Sequence, residues 1–305
     1  MSSRSPAEVA NQNKNFRAGY VAILGQPNVG KSTLLNQLLK YKLSIVSRKP
    51  QTTRKKVLGI LTSENAQIIF IDTPGLLSPK YNLQLLMSNY TDHAIQDADV
   101  ILYLVEASKK LKALSEIKKL LFSIQKPVIL AINKIDLIEK KELLPLIAGY
   151  NKQFEFSSII PISALKDDGL DRLIDEIVDI LPACPPYFPA EYLTDQQERF
   201  FVSEIIREKI YEFYGEEIPY STHVQIEKFK ERPGRKDYVE AVIYVERASQ
   251  KGIIIGKGGK ALKRIGELAR SEMEKFLGRP VYLELFVKIM RDWRSEDSKL
   301  KLLGY

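Results

Sequence analysis

The chain carries a single cysteine in 305 residues, and no apolar run approaches the roughly 18 residues needed to cross a bilayer. Cys184 alone excludes an internal disulfide. With no Cys or His at metal-ligand spacing beside it, a thiolate metal site is excluded too, and a reducing compartment fits. The polar opening, Met1 to Arg17, lacks the apolar stretch of a signal peptide, so a cytoplasmic location is expected. Internal repeats and low-complexity segments are absent. Acidic residues are scarce in two places: residues 1–60 hold eleven Lys/Arg against Glu8 alone, and residues 247–270 hold seven against Glu267 alone.

What is there is the composition of an ordinary globular protein, 45% hydrophobic and 28% charged, long enough for two domains with a core each. The formal charge of +8 suggests a polyanionic partner. Both basic runs overlap a loop of phosphate-binding type, which favours that reading over two solvated faces.

Short apolar runs alternate with helical patterns from Gly19 to Leu181. Tyr20–Leu24, Gln67–Ile71, Val100–Val105, Val128–Ile132 and Ile159–Ile162 read as strands buried on both faces, and Ser32–Lys40, Leu111–Ile124 and Leu170–Ile180 read as helices between them. That repetition predicts an α/β domain, doubly wound around a mostly parallel sheet. Four prolines between Leu181 and Ala190 exclude regular helix and predict an extended connector. Beyond it, a helix over Thr194–Tyr214 capped by Thr194, strands over Thr222–Glu231 and Asp237–Arg247, helices around Gly256-Lys-Gly-Gly259 and a strand over Val281–Met290 predict an α+β domain with a three-stranded sheet. The expected division is a polar extension at 1–16, an α/β domain at 17–181, a linker at 182–193 and an α+β domain at 194–305.

Gly25-Gln26-Pro27-Asn28-Val29-Gly30-Lys31-Ser32-Thr33 follows a predicted strand and opens a predicted helix, the setting a phosphate-binding loop requires. Its glycines let backbone N–H groups face phosphates, Lys31 reaches the β- and γ-phosphates, and the Ser32 hydroxyl ligates Mg²⁺. Asn133-Lys134-Ile135-Asp136 follows another strand. A carboxylate at Asp136 accepts hydrogen bonds from the N1–H and exocyclic amine of guanine, whereas adenine would leave it unpaired, so GTP and GDP are the expected ligands rather than ATP. Asp72-Thr73-Pro74-Gly75 places a carboxylate for Mg²⁺ and the Gly75 amide for the γ-phosphate. In Pro50-Gln-Thr-Thr-Arg54, either Thr52 or Thr53 completes the Mg²⁺ shell, with Thr53 favoured. Ser163-Ala164-Leu165 can back the guanine through its main chain. Leu76 stands where many nucleoside triphosphatases of this kind place a water-orienting glutamine, so intrinsic hydrolysis should be slow.

In the second domain, a Gly-x-x-Gly loop between helices brings a nucleic-acid backbone close. Ile255, Gly256, Lys257, Gly258, Gly259, Lys260, Lys263 and Arg264 are the candidate RNA contacts, beside an apolar groove for about four bases. Phe276, Tyr282 and Phe286 are expected to pack in the core or on the surface. Trp293, between Arg291 and Arg294, is a candidate for base stacking.

Taken in order, the nucleotide motifs resemble the translation-factor-like branch of GTPases, and the α-β-β-α-α-β unit resembles a type II K-homology domain. With the Pro-Gln-Thr-Thr-Arg, Gly-Lys-Gly-Gly and Gly-Arg-Pro-Val-Tyr-Leu-Glu-Leu segments, the chain from Gly19 to Tyr305 is similar to the bacterial Era GTPase family. The resemblance implies GTP hydrolysis with Lys31, Thr53, Gly75 and Asn28 in the catalytic machinery, and a potassium ion near Asn28. It also implies binding to 16S ribosomal RNA near its 3′ end, a role in 30S assembly as a monomer, and peripheral contact with the inner membrane face. The rival reading is an RNA-binding scaffold or chaperone with a passive nucleotide site; Leu76 favours it slightly, while the intact Lys31, Ser32 and Asp72 set favours the switch.

Overall fold

The computed structural model describes residues 16–47, 49–76, 78–108, 120–121 and 123–305. These divide into two compact units, one made of the described residues up to 44 with 53–76 and 87–195, the other of 45–52, 78–86 and 196–305.

The first unit is built on a six-stranded sheet of order β2-β3-β1-β4-β5-β6. The strands are β1 (Arg17–Gly25), β2 (Val57–Thr62), β3 (Ala66–Asp72), β4 (Val100–Glu106), β5 (Val128–Asn133) and β6 (Ser158–Pro161). All neighbours are parallel except β2 and β3. The antiparallel edge strand β2 is not among the strands the sequence predicts; its Val57-Leu-Gly-Ile run is buried and pairs Ile60 with Ile69.

Alternation along β1 explains why helices cover both sides. Ala22 and Leu24 join one cluster with Leu58, Ile60, Ala94, Ala98, Tyr103 and Tyr150. On the opposite face the helix Lys31–Leu39 packs against β2, so close that a Cβ on Gly59 would stand 2.5 Å from Leu35. A helix Leu170–Ile180 lies where the spacing predicts it. Of the expected helix Leu111–Ile124, residues 111–119 and 122 lie outside the described residues, as do residues 1–15 of the expected extension.

The proline-rich stretch is extended, yet it is laid along the first unit rather than spanning open solvent. The Gln67 amide donates to the Phe188 carbonyl over 2.8 Å and its oxygen accepts from the Tyr187 and Phe188 amides. The Ile60 amide donates to the Leu193 carbonyl over 2.9 Å.

In the second unit the three strands β7 (His223–Lys230), β8 (Asp237–Val245) and β9 (Val281–Ile289) lie in chain order, β7 antiparallel and β9 parallel to β8. Val239, Ala241, Ile243 and Val245 point from β8 into a core shared with Val202, Ile206 and Ile210 of helix Glu198–Phe213 and Ile265, Ala269 and Met273 of helix Lys260–Leu277. Two expectations change here. The first helix starts at Glu198 with Gln197 as its cap, not at Thr194, and the Gln197 side chain makes no capping bond. Trp293 is fully buried and donates from Nε1 to the Ser221 carbonyl over 3.0 Å, which removes it from base stacking and makes it part of the core. Gln51 and Thr52 meet helix Glu198–Phe213, where Arg207 donates to the Thr52 carbonyl and the Tyr211 hydroxyl to the Gln51 carbonyl.

Candidate nucleotide and RNA sites

The parallel register brings the C-terminal ends of β1, β3, β4 and β5 to one edge, and the connection from β3 to β4 jumps across β1. The loop after β1 therefore stands where the strand order reverses, the place an open α/β sheet offers a ligand. Gly30, at φ 106°, caps helix Lys31–Leu39 in a backbone shape that L side chains rarely adopt. The loop thereby aims its N–H groups and the positive end of the helix at one point.

Lys31 is buried beside this point, its ammonium donating to the Gly25 and Gln26 carbonyls at 3.1 and 3.2 Å. Burial pushes it down to about 8, with the Asp72 carboxylate pulling the other way. Asp72 is fully buried, and burial pushes its carboxyl up; the Lys31 ammonium and the Ser44, Ser32 and Thr53 hydroxyls oppose that shift. Ser32 and Ser44 donate to Asp72 Oδ2 at 3.1 and 2.9 Å, and Thr53 at 3.3 Å, with the Ser32 and Thr53 hydroxyls 3.1 Å apart. Asp72 Oδ1 is buried with no partner among the described residues. Hard oxygen donors around an incompletely compensated buried carboxylate are the set a magnesium ion takes, so these residues fit Mg²⁺.

Sequence reasoning missed Ser44, which no motif marks, and Asn36, whose side chain binds the Leu43 and Ser44 amides and the Ser44 carbonyl and so fixes Ser44 in place. Thr73 and Pro74 face inward: the Thr73 hydroxyl donates to the Ile23 carbonyl, and the Pro74 carbonyl accepts from Thr91. Gly75 lies against Pro27, where a Cβ would come within 3.1 Å of its ring. The Leu76 amide donates to the Gly25 carbonyl over 3.2 Å while its side chain packs on the apolar core. Arg54 is 3% exposed.

In the Asn133–Asp136 loop, Asp136 is exposed and accepts from the Ser163 hydroxyl at 2.5 Å. Asn133 is buried; its amide donates to the Val29 carbonyl at 2.8 Å and its oxygen accepts from the Ala164 amide at 3.0 Å. Lys134 reaches the Asn28 carbonyl and Glu106, both at 2.9 Å. Asn133 and Lys134 thus tie three loops together, a part that Glu106 shares and that the sequence did not reveal. Gln26 and Thr33 are half-buried beside the loop, and Leu165 is exposed.

In the second unit the Gly256–Gly259 loop joins helix Ala248–Ile255 to helix Lys260–Leu277. Gly256, Gly258 and Gly259 all have positive φ, and the space beside Gly258 is open. Lys257 and Lys260 are exposed at its rim, Ile255 is half-buried, and Arg264 pairs with Glu267 at 3.7 Å. A groove of about 380 Å³ runs from Gly259 along Leu262, Lys263, Gly266 and Arg270, with Tyr282, Leu283 and Leu285 as its other wall. Of the expected contacts, Gly259 and Lys263 line it; the aliphatic wall from β9 was not foreseen, because one strand's alternation does not say which helix it faces.

A family model described as 50S ribosome-binding GTPase matches residues 20–134, and one described as KH domain matches residues 217–294. The GTPase Era of Geotalea uraniireducens is 48% identical over 293 residues, covering 96% of this chain and 99% of that protein. The GTPase Era of Ruminiclostridium cellulolyticum is 45% identical over 292 residues, covering 95% and 98%. A point variant of Aquifex aeolicus Era bound to GDP·AlF4⁻ superposes with a TM-score of 0.91 at 43% identity, over 95% of this chain and 99% of that one. Era solved in complex with MgGDPNP and nucleotides 1506–1542 of 16S ribosomal RNA gives the same TM-score at 44% identity and the same coverage. A phosphate loop at the sheet's switch point, an Asn-Lys-x-Asp loop tied to it and a Gly-x-x-Gly groove thus lie in a chain matched along almost the full length of these relatives, and the chain belongs to the GTPase Era family.

Proposed function

We propose that this GTPase binds 16S ribosomal RNA near its 3′ end and uses GTP hydrolysis to time its action in assembly of the 30S subunit. The observation that carries the reading is the groove beside Gly256–Gly259 on the same chain as a complete nucleotide site, together with the likeness to the relative solved on nucleotides 1506–1542 of 16S ribosomal RNA. In this proposal Lys31 holds the β- and γ-phosphates, the Gly75 amide meets the γ-phosphate, and Asp136 reads guanine with Ser163, Ala164 and Leu165 behind the base. Ser32, Thr53 and Asp72 hold Mg²⁺, which supplies positive charge to the β- and γ-phosphate oxygens. Thr53 is preferred to Thr52 because its hydroxyl already meets Ser32 and Asp72. Leu76 leaves the attacking water without a side-chain guide, so intrinsic turnover is slow. The protein works as a monomer in the cytoplasm, with peripheral contact at the inner membrane face; among the described residues no helix is long and apolar enough to cross a membrane.

GTP turnover measured alone, with a 16S 3′-end RNA, and with purified 30S or 50S subunits tests this. Acceleration by the RNA or by 30S supports the switch. Unchanged turnover together with tight RNA binding would return the chain to the scaffold reading, and a response to 50S alone would overturn the choice of subunit.

A further inference from the structure

A second recess lies past the far end of the Gly-x-x-Gly groove. It holds about 490 Å³ and is lined by the β7–β8 turn, Arg232 to Asp237, together with Arg279 and Pro280. Tyr282, two residues after Pro280, lines the first groove, so the two recesses adjoin. On the sheet face turned away from the helices, the Arg232 guanidinium lies 4.8 Å over the Tyr238 ring, which stacks on Tyr282 at 6.1 Å with 16° between planes, and the Tyr238 hydroxyl donates to Glu240 and Glu284. Tyr282 is half exposed.

The turn is braced from below and open above. The Arg232 amide donates to Asp237 Oδ1 at 3.0 Å and the Arg235 amide to the Arg232 carbonyl at 2.9 Å. Arg279 pairs with Asp237 and Glu198 at the surface, so its own charge is already taken up by two carboxylates. Arg232, Arg235 and Lys236 stay exposed at the tip; of the two acids lining the recess, Asp237 is paired with Arg279 and Glu231 is exposed. Helix Lys260–Leu277 has 18 residues, about 27 Å at 1.5 Å per residue, or roughly eight nucleotides at the 3.4 Å spacing of a stacked strand. The turn is therefore beyond the reach of the four nucleotides a Gly-x-x-Gly groove holds.

We infer that the β7–β8 turn is a second phosphate-binding surface, which takes the backbone of the same single-stranded RNA after it leaves the Gly-x-x-Gly groove, with Arg235 and Lys236 on phosphates. The inference rests on the K-homology reading of the groove. Continuity with that groove and the positive charge of the tip select RNA as the occupant.

The test uses the full chain and two nested RNAs from the 16S 3′ end, a 5-mer that fills the groove and a 12-mer that continues past it, titrated by fluorescence anisotropy across a salt series. Removing two phosphate contacts from a single strand lowers the slope of log K against log salt by about 1.4, or about tenfold in affinity at 0.15 M salt. The expected result is that Arg235→Ala/Lys236→Ala shows this loss with the 12-mer and none with the 5-mer. Equal slopes for wild type and variant on the 12-mer, or equal losses on both RNAs, would overturn the second surface while leaving the groove intact. A loss seen only with a hairpin RNA would also overturn it, in favour of a duplex site. Failure of the wild type to bind either RNA would instead sink the groove reading, and the inference with it.

Discussion

Asn133 donates from Nδ2 to the Val29 carbonyl over 2.8 Å, and that same nitrogen occupies the space a side chain at position 30 would need. The residue that opens the base-reading motif therefore does its visible work on the phosphate loop. Asn133→Ala leaves the buried Val29 carbonyl and Ala164 amide without these partners, at about 1–3 kcal/mol for each unsatisfied group. Isothermal titration should show GDP and GTP affinity falling together by about tenfold or more with guanine preference retained. Asp136→Asn should do the opposite, keeping nucleotide affinity but shifting preference from guanine to xanthine nucleotides. A changed base preference in the Asn133 variant would contradict the division of labour.

Thr53 and Thr52 are neighbours with different surroundings, the Thr53 hydroxyl at Ser32 and the Thr52 carbonyl at Arg207. Thr53→Ala should raise the Mg²⁺ concentration needed for half-maximal binding of a non-hydrolysable GTP analogue several-fold without altering GDP binding, and Thr52→Ala should leave both unchanged. The reverse pattern would move the Mg²⁺ role to Thr52.

Asn28 sits at φ 64° on the phosphate loop, with its carbonyl held by Lys134. If a monovalent cation beside Asn28 offsets the charge developing between the β- and γ-phosphates, potassium in place of sodium at constant ionic strength raises turnover several-fold. Asn28→Ala abolishes that rise while GTP still binds; each tenfold in rate corresponds to about 1.4 kcal/mol. Arg54 is the rival source of positive charge. It is 3% exposed, so Arg54→Ala should lower thermal stability as well as any rate. Equal rates in both salts with a large loss in Arg54→Ala would favour the arginine.

Gly258→Asp places a carboxylate in open space at φ 60°, a backbone shape Asp tolerates better than most residues. RNA affinity in a filter-binding titration should drop strongly with melting temperature and nucleotide affinity near wild type. Trp293→Ala should behave as a core deletion, costing about 3–5 kcal/mol in denaturant unfolding. RNA affinity that survives Gly258→Asp would refute the loop assignment.

Four strands of the first sheet were legible because parallel strands covered on both faces read as nearly unbroken apolar runs, as in Val128–Ile132, and the half-buried edge strand Ser158–Pro161 was legible from its short Ile-Ile run. The edge strand Val57–Thr62 was not, since its signal is short and sits beside the basic Arg54-Lys-Lys stretch. In the candidate site, Lys31, Ser32 and Asp72 could be named from motifs whose chemistry fixes their spacing, and the fold brings these three together. Ser44, Asn36 and Glu106 were not, because each acts through hydrogen bonds brought about by folding, which leave no pattern in one sequence. Trp293 misled for a related reason: flanking arginines suggested a surface, while the contact that buries it comes from Ser221, far away in the chain.

Leu76 is anchored twice, through its amide on Gly25 and its side chain on the apolar core. A glutamine put there by a single codon change would have to leave that core before it could approach a water, trading packing for a guide that the backbone still holds back. Leu76→Gln should therefore release phosphate from GTP no faster than wild type in a single-turnover assay. A chain built this way leaves the guiding of a water to something other than residue 76, whether an ion or a docked partner.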